Sequence, residues 1–423
     1  MKRRVFLLVL LFLPSFFAAG ADDVDFQDWD MDTLFDEPVD EQGEDAAGEG
    51  RPPVQVRQEG FSLTASYYFN GGIAPGWTQA PWHWGSSETE YSHLLGLGMF
   101  SGIGLDFQIS NVLRVTNTFG FFYPGFFLYV RNFFFDYTIK NTVFIRAGKY
   151  EPAWGISPNF QFTNLLSRVP DNSSGGDAVI VKADIPIGVG GLQVLALNRR
   201  GFIKSGRVTP GLREIGYGAK YNLAFPWADI DMGAFFLADM PLRGFISVKK
   251  TVKNTEIYAE GMSSVQHPLG DRYDAWGNLK FSANMGFVQD FFVNKLTVNG
   301  ELFYNGEKAT GWFSPETNLQ DAEISPFIGG LNTALNLRFR PGWWKKFRFG
   351  LQFLYAFDEN TAQLVPGLTF DPLPHMVVSF AVPMALGSAN GTYYTHNADK
   401  NNRPFSIVLL ISISGSRRFG FYD

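Results

Sequence analysis

The feature that most constrains this chain is an alternation of side chains that starts near residue 61 and recurs to the end of the sequence. In residues 61–70, FSLTASYYFN, the odd positions are apolar or aromatic and most even positions are small and polar. Successive side chains of a β-strand point to opposite faces, so a strand with this pattern lies between two different environments. The sequence therefore predicts a sheet with one apolar face and one polar face.

The same alternation predicts eighteen strands. It is regular in residues 347–357, where every odd position is Phe, Leu or Tyr, whereas residues 126–139 are apolar at both parities. The predicted strands are residues 61–70, 92–109, 112–121, 126–139, 142–150, 178–185, 190–198, 212–224, 228–238, 243–251, 254–263, 276–288, 294–304, 327–339, 347–357, 361–371, 375–382 and 404–414.

The connections between these strands differ in length in an ordered way. Every connection from an even to an odd strand is short or moderate, as at Ser110-Asn111 and Lys140-Asn141. The long connections all run from an odd to an even strand, at residues 71–91, 151–177, 199–211, 264–275, 305–326 and 383–403. Short turns at one end and long loops at the other are typical of bacterial outer-membrane barrels, and an even strand count places both chain ends at the turn end, in the periplasm.

Composition supports a membrane barrel over a soluble sheet protein. Only 18 % of the 423 residues are charged, against about 25 % in an ordinary soluble domain. Backbone groups cannot stay unpaired in hydrocarbon, so a sheet there must close, and 16 to 18 strands enclose an aqueous channel. The expected fold is all-β: a transmembrane antiparallel up-and-down β-barrel of about eighteen strands, with sixteen as the alternative count. Aromatic residues near strand ends, such as Tyr67, Trp227, Trp343 and Trp344, fit interfacial girdles.

The N-terminal residues predict export. Lys2, Arg3 and Arg4 precede an apolar stretch, and Ala18 and Gly20 are small residues before a cut at Ala21. That arrangement is typical of a secretory signal peptide. The predicted organisation is a signal peptide at 1–20, an acidic leader at 21–59 and the barrel at 60–423.

The leader has a composition of its own. Residues 21–50 contain 13 Asp and Glu and no Lys or Arg, with Phe26, Trp29, Leu34 and Phe35 among the acids. A disordered periplasmic tail and a segment that binds a periplasmic partner both fit this composition.

Alternation also assigns charged side chains to the polar face, which would line the lumen. Nine basic residues are assigned there, a small excess over the acidic ones that favours anions. The six acidic residues are Asp106, Asp184, Asp231, Glu256, Glu260 and Glu301. Cross-strand ion pairs that hold the wall are the alternative reading of each residue. The predicted basic wall residues are Arg114, Arg146, Lys182, Lys220, Lys249, Lys280, Lys295, Arg338 and Arg348.

One stretch carries a family resemblance. Residues 146–166, RAGKYEPAWGISPNFQFTNLL, end a predicted strand and lead into the longest connection. Here the chain resembles large bacterial outer-membrane porins of the phosphate-selective, carbohydrate-selective and alginate-export types. The positions that match the porin pattern are Gly148, Lys149, Pro152, Trp154, Gly155 and Asn164.

The resemblance implies that the third external loop, 151–177, folds into the barrel and narrows the pore. An exposed surface loop is the alternative, although its Trp and Phe residues favour burial. The residues implied to line the constriction or the solute path are Arg146, Lys149, Glu151, Trp154, Asn159, Asn164, Arg168 and Asp171, with Asp177 at the end of the loop.

The sequence offers no pattern for catalysis, and no cofactor is predicted. The five histidines show no metal-ligand spacing, no G-x-S-x-G motif occurs and the chain has no Cys. Gly96, Gly98, Gly102 and Gly104 alternate within a strand and are expected to make room for the loop or to bend the wall. The protein is therefore predicted not to be an enzyme and not to bind nucleic acid or a metal ion.

The predicted function is passive diffusion of small polar solutes, with a preference for anions, across the outer membrane of a diderm bacterium. Two alternatives are a transporter of hydrophobic, lipid-like molecules, for which Phe119, Phe127, Phe133 and Phe135 would line the lumen, and a non-conducting adhesive or structural barrel. The expected partners are outer-membrane lipid, the barrel-assembly machinery and the solutes. A homo-oligomer is left open.

Overall fold

The computed structural model describes the barrel and part of its longest connection. The described residues are 61–77, 93–110, 112–123, 127–140, 142–150, 154–160, 179–198, 215–237, 242–265, 279–293, 295–306, 309–310, 314–315, 330–387 and 405–421. The predicted signal peptide and leader lie outside these residues.

Eighteen strands form the barrel, as the alternation predicted. They are β1 Phe61–Trp77, β2 His93–Ser110, β3 Leu113–Tyr123, β4 Phe127–Ile139, β5 Val143–Lys149, β6 Val179–Ile187, β7 Gly190–Asn198, β8 Ile215–Phe225, β9 Ala228–Phe236, β10 Leu242–Val252, β11 Thr255–Val265, β12 Leu279–Phe291, β13 Leu296–Tyr304, β14 Leu331–Phe339, β15 Phe347–Ala356, β16 Thr361–Leu373, β17 Met376–Ala381 continued by Met384–Gly387, and β18 Phe405–Ser406 continued by Val408–Phe421. A separate two-residue pair, Ala309–Thr310 with Ser314–Pro315, lies in the connection between β13 and β14.

Each strand pairs antiparallel with its neighbours in the chain, and the sheet closes between the first and last strands. The register of β1 on β18 runs from Phe61 opposite Phe421 to Ile73 opposite Leu409. Closure leaves no unpaired edge, which a sheet in hydrocarbon requires. Among the described residues, no helix is long and apolar enough to cross a membrane.

The two ends of the barrel differ as predicted. Connections from even to odd strands are tight turns, such as the one between Ile187 and Gly190, and the longest, between β14 and β15, has seven residues. Both described ends of the chain lie at this turn end, because Phe61 faces Phe421 and Ser62 faces Gln108, two residues before β2 ends.

The two faces of the sheet differ in chemistry. Large apolar side chains are exposed on the outer face, including Tyr67, Ile103 and Met285. The inner face carries polar side chains such as Asn284 and Glu301. An apolar outer surface around a polar interior is the pattern of a barrel that sits in lipid.

The register settles the faces of β4, which the sequence left open. Phe133 and Phe135 are exposed on the outer face, and Asp136 pairs with Arg146 on the inner face. Phe119 pairs with the outward Ile103. The side chains of these three phenylalanines therefore face away from the lumen and do not support a hydrophobic channel. The side chain of Phe127, the fourth residue of that hypothesis, lies outside those that the structure describes.

Two lumenal glycines of β2 accommodate side chains of β1. A Cβ atom on Gly102 would lie 2.2 Å from the Tyr68 hydroxyl oxygen, and one on Gly104 would lie 2.4 Å from Ser66 Oγ. These glycines thus make room for the neighbouring strand, whereas the sequence pattern predicted space for the loop or a bend in the wall.

Candidate pore lining and constriction

Residues 154–160, the inner segment, are the described part of the connection between β5 and β6, and they lie against the inner face of the barrel. The carboxylate of Glu301 on β13 accepts hydrogen bonds from Ser157 Oγ at 2.8 Å, from the Asn159 backbone N–H at 2.9 Å and from Asn159 Nδ2 at 2.7 Å. The Phe160 N–H donates to the same carboxylate at 3.2 Å, and Asn284 Nδ2 donates to it at 3.3 Å. Glu301 is only 4 % exposed, so this carboxylate is buried by the segment that it binds.

A buried carboxylate is costly unless several donors compensate for its lost hydration. Two of the donors to Glu301 are consecutive backbone N–H groups, those of Asn159 and Phe160, which have no strand or helix partner. The carboxylate and the segment therefore satisfy each other's polar groups. Gly155, with φ of 95°, takes a backbone conformation that favours glycine where the chain enters the segment.

Further contacts spread across neighbouring strands. The Ile156 N–H donates to Glu260 Oε1 on β11 at 2.7 Å, and Asn336 Nδ2 on β14 donates to Asn159 Oδ1 at 2.6 Å. The Phe160 ring is fully buried and stacks on Phe303 of β13 at 5.2 Å between centroids. This part of the inner segment is thus held by four consecutive strands, β11 to β14.

Trp154 anchors the other end of the segment. Its ring is 2 % exposed and lies 5.7 Å from the ring of Phe245 on β10. Its Nε1 donates to Gln193 Oε1 on β7, and Gln193 Nε2 donates in turn to Asp184 Oδ1 at 2.7 Å. A Cβ atom on Gly218 of β8 would lie 2.7 Å from the Trp154 ring, so the absence of a side chain there creates the space for the indole.

Ion pairs recur on the inner face. Arg146 Nε lies 2.6 Å from Asp136 Oδ1, and its guanidinium also lies over the Phe134 ring at 4.4 Å. Arg114 binds Asp106 through two nitrogens. Four more pairs join Lys182 to Asp184 at 2.8 Å, Lys220 to Asp231 at 3.3 Å, Lys249 to Glu256 at 3.3 Å and Arg348 to Asp371 at 2.8 Å.

The register changes the balance of charge that the sequence suggested. Among inward-facing strand residues whose side chains the structure describes, ten are basic and ten are acidic. The basic set is Arg114, Arg146, Lys182, Lys220, Arg243, Lys249, Lys280, Arg338, Arg348 and Arg418. The acidic set is Asp106, Asp136, Asp184, Asp229, Asp231, Glu256, Glu260, Asp290, Glu301 and Asp371. Lys295, predicted on the wall, precedes β13 and leaves the set.

The part of the inner face away from the inner segment has a different lining. On β16, β17, β18, β1 and β3 it carries many small hydroxyl side chains, here named the hydroxyl wall, while β2 between them contributes glycines. The members of the hydroxyl wall are Ser62, Thr64, Ser66, Thr116, Thr118, Thr369, Ser379, Ser412, Ser414 and Ser416.

The predicted site residues fall into three groups. Trp154 and Asn159 lie in the inner segment, and Arg146 lies on the wall beside it. Lys149 faces outward, because it pairs with the exposed Phe133. Glu151, Asn164, Arg168, Asp171 and Asp177 lie outside the described residues.

The sequence did not predict which wall residues hold the segment. Glu260 and Glu301 were assigned to the polar face by parity, but Gln193, Asn284 and Asn336 were not singled out, and neither were Ser157 and Phe160 of the segment. The only available signal in the sequence was the presence of acids at inward-facing strand positions together with a loop rich in amide and hydroxyl donors. Among the described residues, no group of three or more His, Asp or Glu could hold a metal ion.

Comparison with known proteins gives similarity of fold. No protein-family model and no curated protein matches the chain. Solved structures do match. OccK2 (OpdF) of Pseudomonas aeruginosa, in complex with glucuronate, has a TM-score of 0.54 and 10 % identity over 84 % of this chain and 98 % of its own. The outer membrane protein OpdK of the same organism has a TM-score of 0.51 and 10 % identity over 84 % and 99 %.

A mutant of the Rh. blastica porin matches with a TM-score of 0.45 and 10 % identity over 84 % of this chain and 100 % of its own. The chain has the fold of the bacterial outer-membrane porins, a closed antiparallel barrel of eighteen strands.

Proposed function

We propose that this protein is a passive channel for small polar solutes in the outer membrane of a diderm bacterium, with the turn end in the periplasm. The lumen is narrowed by the connection between β5 and β6. The observation that carries this proposal is the set of hydrogen bonds that ties Ser157, Asn159 and Phe160 to Glu301 on the inner face.

The lining favours polar solutes with little preference for either sign of charge. The described inner strands carry equal numbers of acids and bases, and six of the basic residues have acidic partners within 4.0 Å. Selectivity in such pores follows the net charge of the lining groups, so the anion preference expected from the sequence loses its support. The exposed members of the hydroxyl wall, such as Ser414 and Ser416, offer donors and acceptors to neutral polar solutes.

Single-channel recording of the purified chain in planar bilayers tests the channel itself. Steady ohmic steps with similar anion and cation permeabilities are expected. A folded, heat-modifiable barrel that gives no steps would overturn the proposal and favour the adhesive or structural alternative.

A matched pair of variants tests the narrowing. Glu301→Gln replaces a carboxylate that accepts from several donors with an amide that brings two donors of its own, so the inner segment should detach and conductance and open-channel noise should rise. Glu256→Gln, on the inner face but bound to Lys249, is the control and should change neither. Equal conductance in both variants would mean that residues 154–160 do not limit the pore.

A further inference from the structure

Three neighbouring turns at the turn end expose large apolar side chains. They are residues 292, 293 and 295 between β12 and β13, residues 340–346 between β14 and β15, and residues 372–375, which comprise the last two residues of β16 and its turn to β17. These residues are here named the turn surface. Val293 is 92 % exposed, Phe292 73 %, Trp343 76 % and Leu373 61 %. Exposed apolar groups on neighbouring turns mark a site that something else covers. The membrane interface, expected above for Trp343 and Trp344, and a protein segment are the two candidates.

The backbone at Phe292 and Val293 strengthens this reading. Both residues have positive φ, 54° and 56°. Two consecutive positive values are typical of hairpin turns built from Asn and Gly, and a bulky or β-branched residue there is strained. Strain of this kind is found at functional sites, where the surrounding structure holds it in place. The Phe292 ring lies 6.4 Å from the ring of Phe291 at the end of β12, and both turn side chains remain largely exposed.

The turn surface is connected and ordered by its own contacts. The Arg340 N–H donates to the Lys295 carbonyl at 2.8 Å, which joins the first turn to the second. Lys346 Nζ donates to the Pro372 carbonyl at 3.1 Å, and the Asp371 N–H donates to the Lys346 carbonyl at 3.0 Å, which joins the second turn to the third. Hydrogen bonds thus link the three turns, and the exposed side chains belong to one connected surface.

The turn surface is also basic. Residues 340–346, RPGWWKK, contain Arg340, Lys345 and Lys346 and no acid, and Lys295 adds a fourth positive charge from the neighbouring turn. Aromatic side chains among positive charges form a surface that complements an acidic segment containing aromatic residues.

We propose that the turn surface is the docking site for residues 21–50 of the acidic leader of the same chain. Residues 21–50 contain 13 acidic residues and no basic ones, with Phe26, Trp29, Leu34 and Phe35 as apolar anchors. Its carboxylates bind the Lys and Arg side chains, and its aromatic residues pack on Trp343, Phe292 and Val293.

The geometry of attachment permits this contact. The leader is joined to β1, whose first residue, Phe61, lies at the turn end. From β1 to β13 by way of β18 there are six strand spacings, about 29 Å in all. The chain from residue 35 to residue 61 spans up to about 85 Å when extended. A tethered segment has an effective concentration in the millimolar range, so even a weak contact would be well populated.

Cysteine pairs test the proposal in the full chain, which has no native Cys. The test variant carries Leu34→Cys with Val293→Cys. The control carries Leu34→Cys with Val189→Cys, whose side chain is 67 % exposed in the turn between β6 and β7, also six strands from β1. Residues 186–191, PIGVGG, carry no charge, so the control probes proximity without the basic surface.

In lipid nanodiscs under mild oxidation, the Val293 pair is expected to form the intramolecular disulfide about tenfold more than the Val189 pair, equivalent to a tenfold preference for one turn. Adding Lys345→Glu and Lys346→Glu should reduce it to the control yield. Equal yields for the two pairs would overturn the proposal, because they would mean that the leader samples both turns alike or that lipid head groups cover the turn surface.

A second measurement needs no engineered cysteine. Glu-C protease cleaves after the acidic residues of the leader. If the leader docks, cleavage of the unmodified full chain should be severalfold slower than cleavage under conditions that release the leader. The double substitution Trp343→Ala and Trp344→Ala should restore rapid cleavage, as should high salt. An unchanged rate in both conditions would contradict docking even if a cysteine variant failed to fold.

Discussion

The two sides of the inner wall differ in what they contact: one side contacts the inner segment and the other faces the open lumen. Beneath the inner segment, β7 to β14 carry buried groups such as Phe245, Glu260 and Glu301, which contact the segment. On the hydroxyl wall, Ser414 and Ser416 remain exposed to the lumen. The same alternation of faces produced both regions, so facing inward does not by itself define a pore lining. Whether a lumenal residue meets solute or protein depends on where the connecting chain lies.

Among substitutions that would abolish the difference between the two sides by loosening the inner segment, Phe160→Ala is expected to have the largest effect. The substitution removes a fully buried ring stacked on Phe303 and should weaken attachment of the inner segment by about 3–5 kcal/mol, the usual cost for a buried Phe. Hydrogen exchange of the Asn159 and Phe160 amides, both bound to Glu301, would measure this opening. Phe160→Leu should lose less than about 1.5 kcal/mol. Unchanged exchange in Phe160→Ala would mean that the ring does not hold the segment.

A smaller effect is expected from Gly218→Ala. The added Cβ would lie 2.7 Å from the Trp154 ring and should cost about 1–3 kcal/mol through overpacking, seen as loss of Trp154 protection from a collisional quencher. Gly244→Ala on the outer face is the control, since its nearest new contact is at 3.7 Å. If both variants keep Trp154 equally protected, the indole does not depend on the space at Gly218.

A substitution in the hydroxyl wall should change single-channel conductance but not the stability with which the inner segment is attached. Ser414→Trp places a large ring in the lumen opposite the inner segment and should lower single-channel conductance by about a third, since it narrows the free passage. Amide exchange at Phe160 should not change. Ile413→Trp, one residue away on the outer face, is the control and should leave conductance unaltered. A conductance drop in both would indicate a general distortion of β18.

The smallest effect is expected from the ion pairs. Asp371→Asn removes the partner of Arg348, which lies 2.8 Å away, and should raise the anion-to-cation permeability ratio by less than about twofold. Arg348→Gln should shift the ratio the opposite way. Reversal potentials in a salt gradient would measure both shifts, and two shifts of the same sign would contradict a balanced lining.

Most of the fold followed from the sequence because local alternation and connection length specify a barrel without knowledge of distant contacts. The eighteen predicted strands all occur, although β1 extends to Trp77 and β18 to Phe421, beyond their predicted ends. The face of Asp136 was not predictable, because the strand around it is apolar at both parities. Its pairing with Arg146 supplied the answer.

The site was less predictable for a physical reason. Residues 154–160 bind Glu260, Glu301 and Asn336, which lie more than 100 positions further along the chain. No local pattern reports such contacts. Lys149 shows a different limit: it was chosen from a family motif, yet it is three residues from the inward Arg146, so alternation alone places it on the outer face.

Closure of the barrel through Phe61 and Phe421 has a consequence for the time course of folding. The seam joins the two most distant parts of the described chain, so it cannot form until the last strand is available. Contacts of such large sequence separation form slowly, and until then β1 and β18 each keep an unpaired edge. Completion of the barrel therefore waits on its C-terminal strand, and a chain shortened within β18 would remain an open, aggregation-prone sheet.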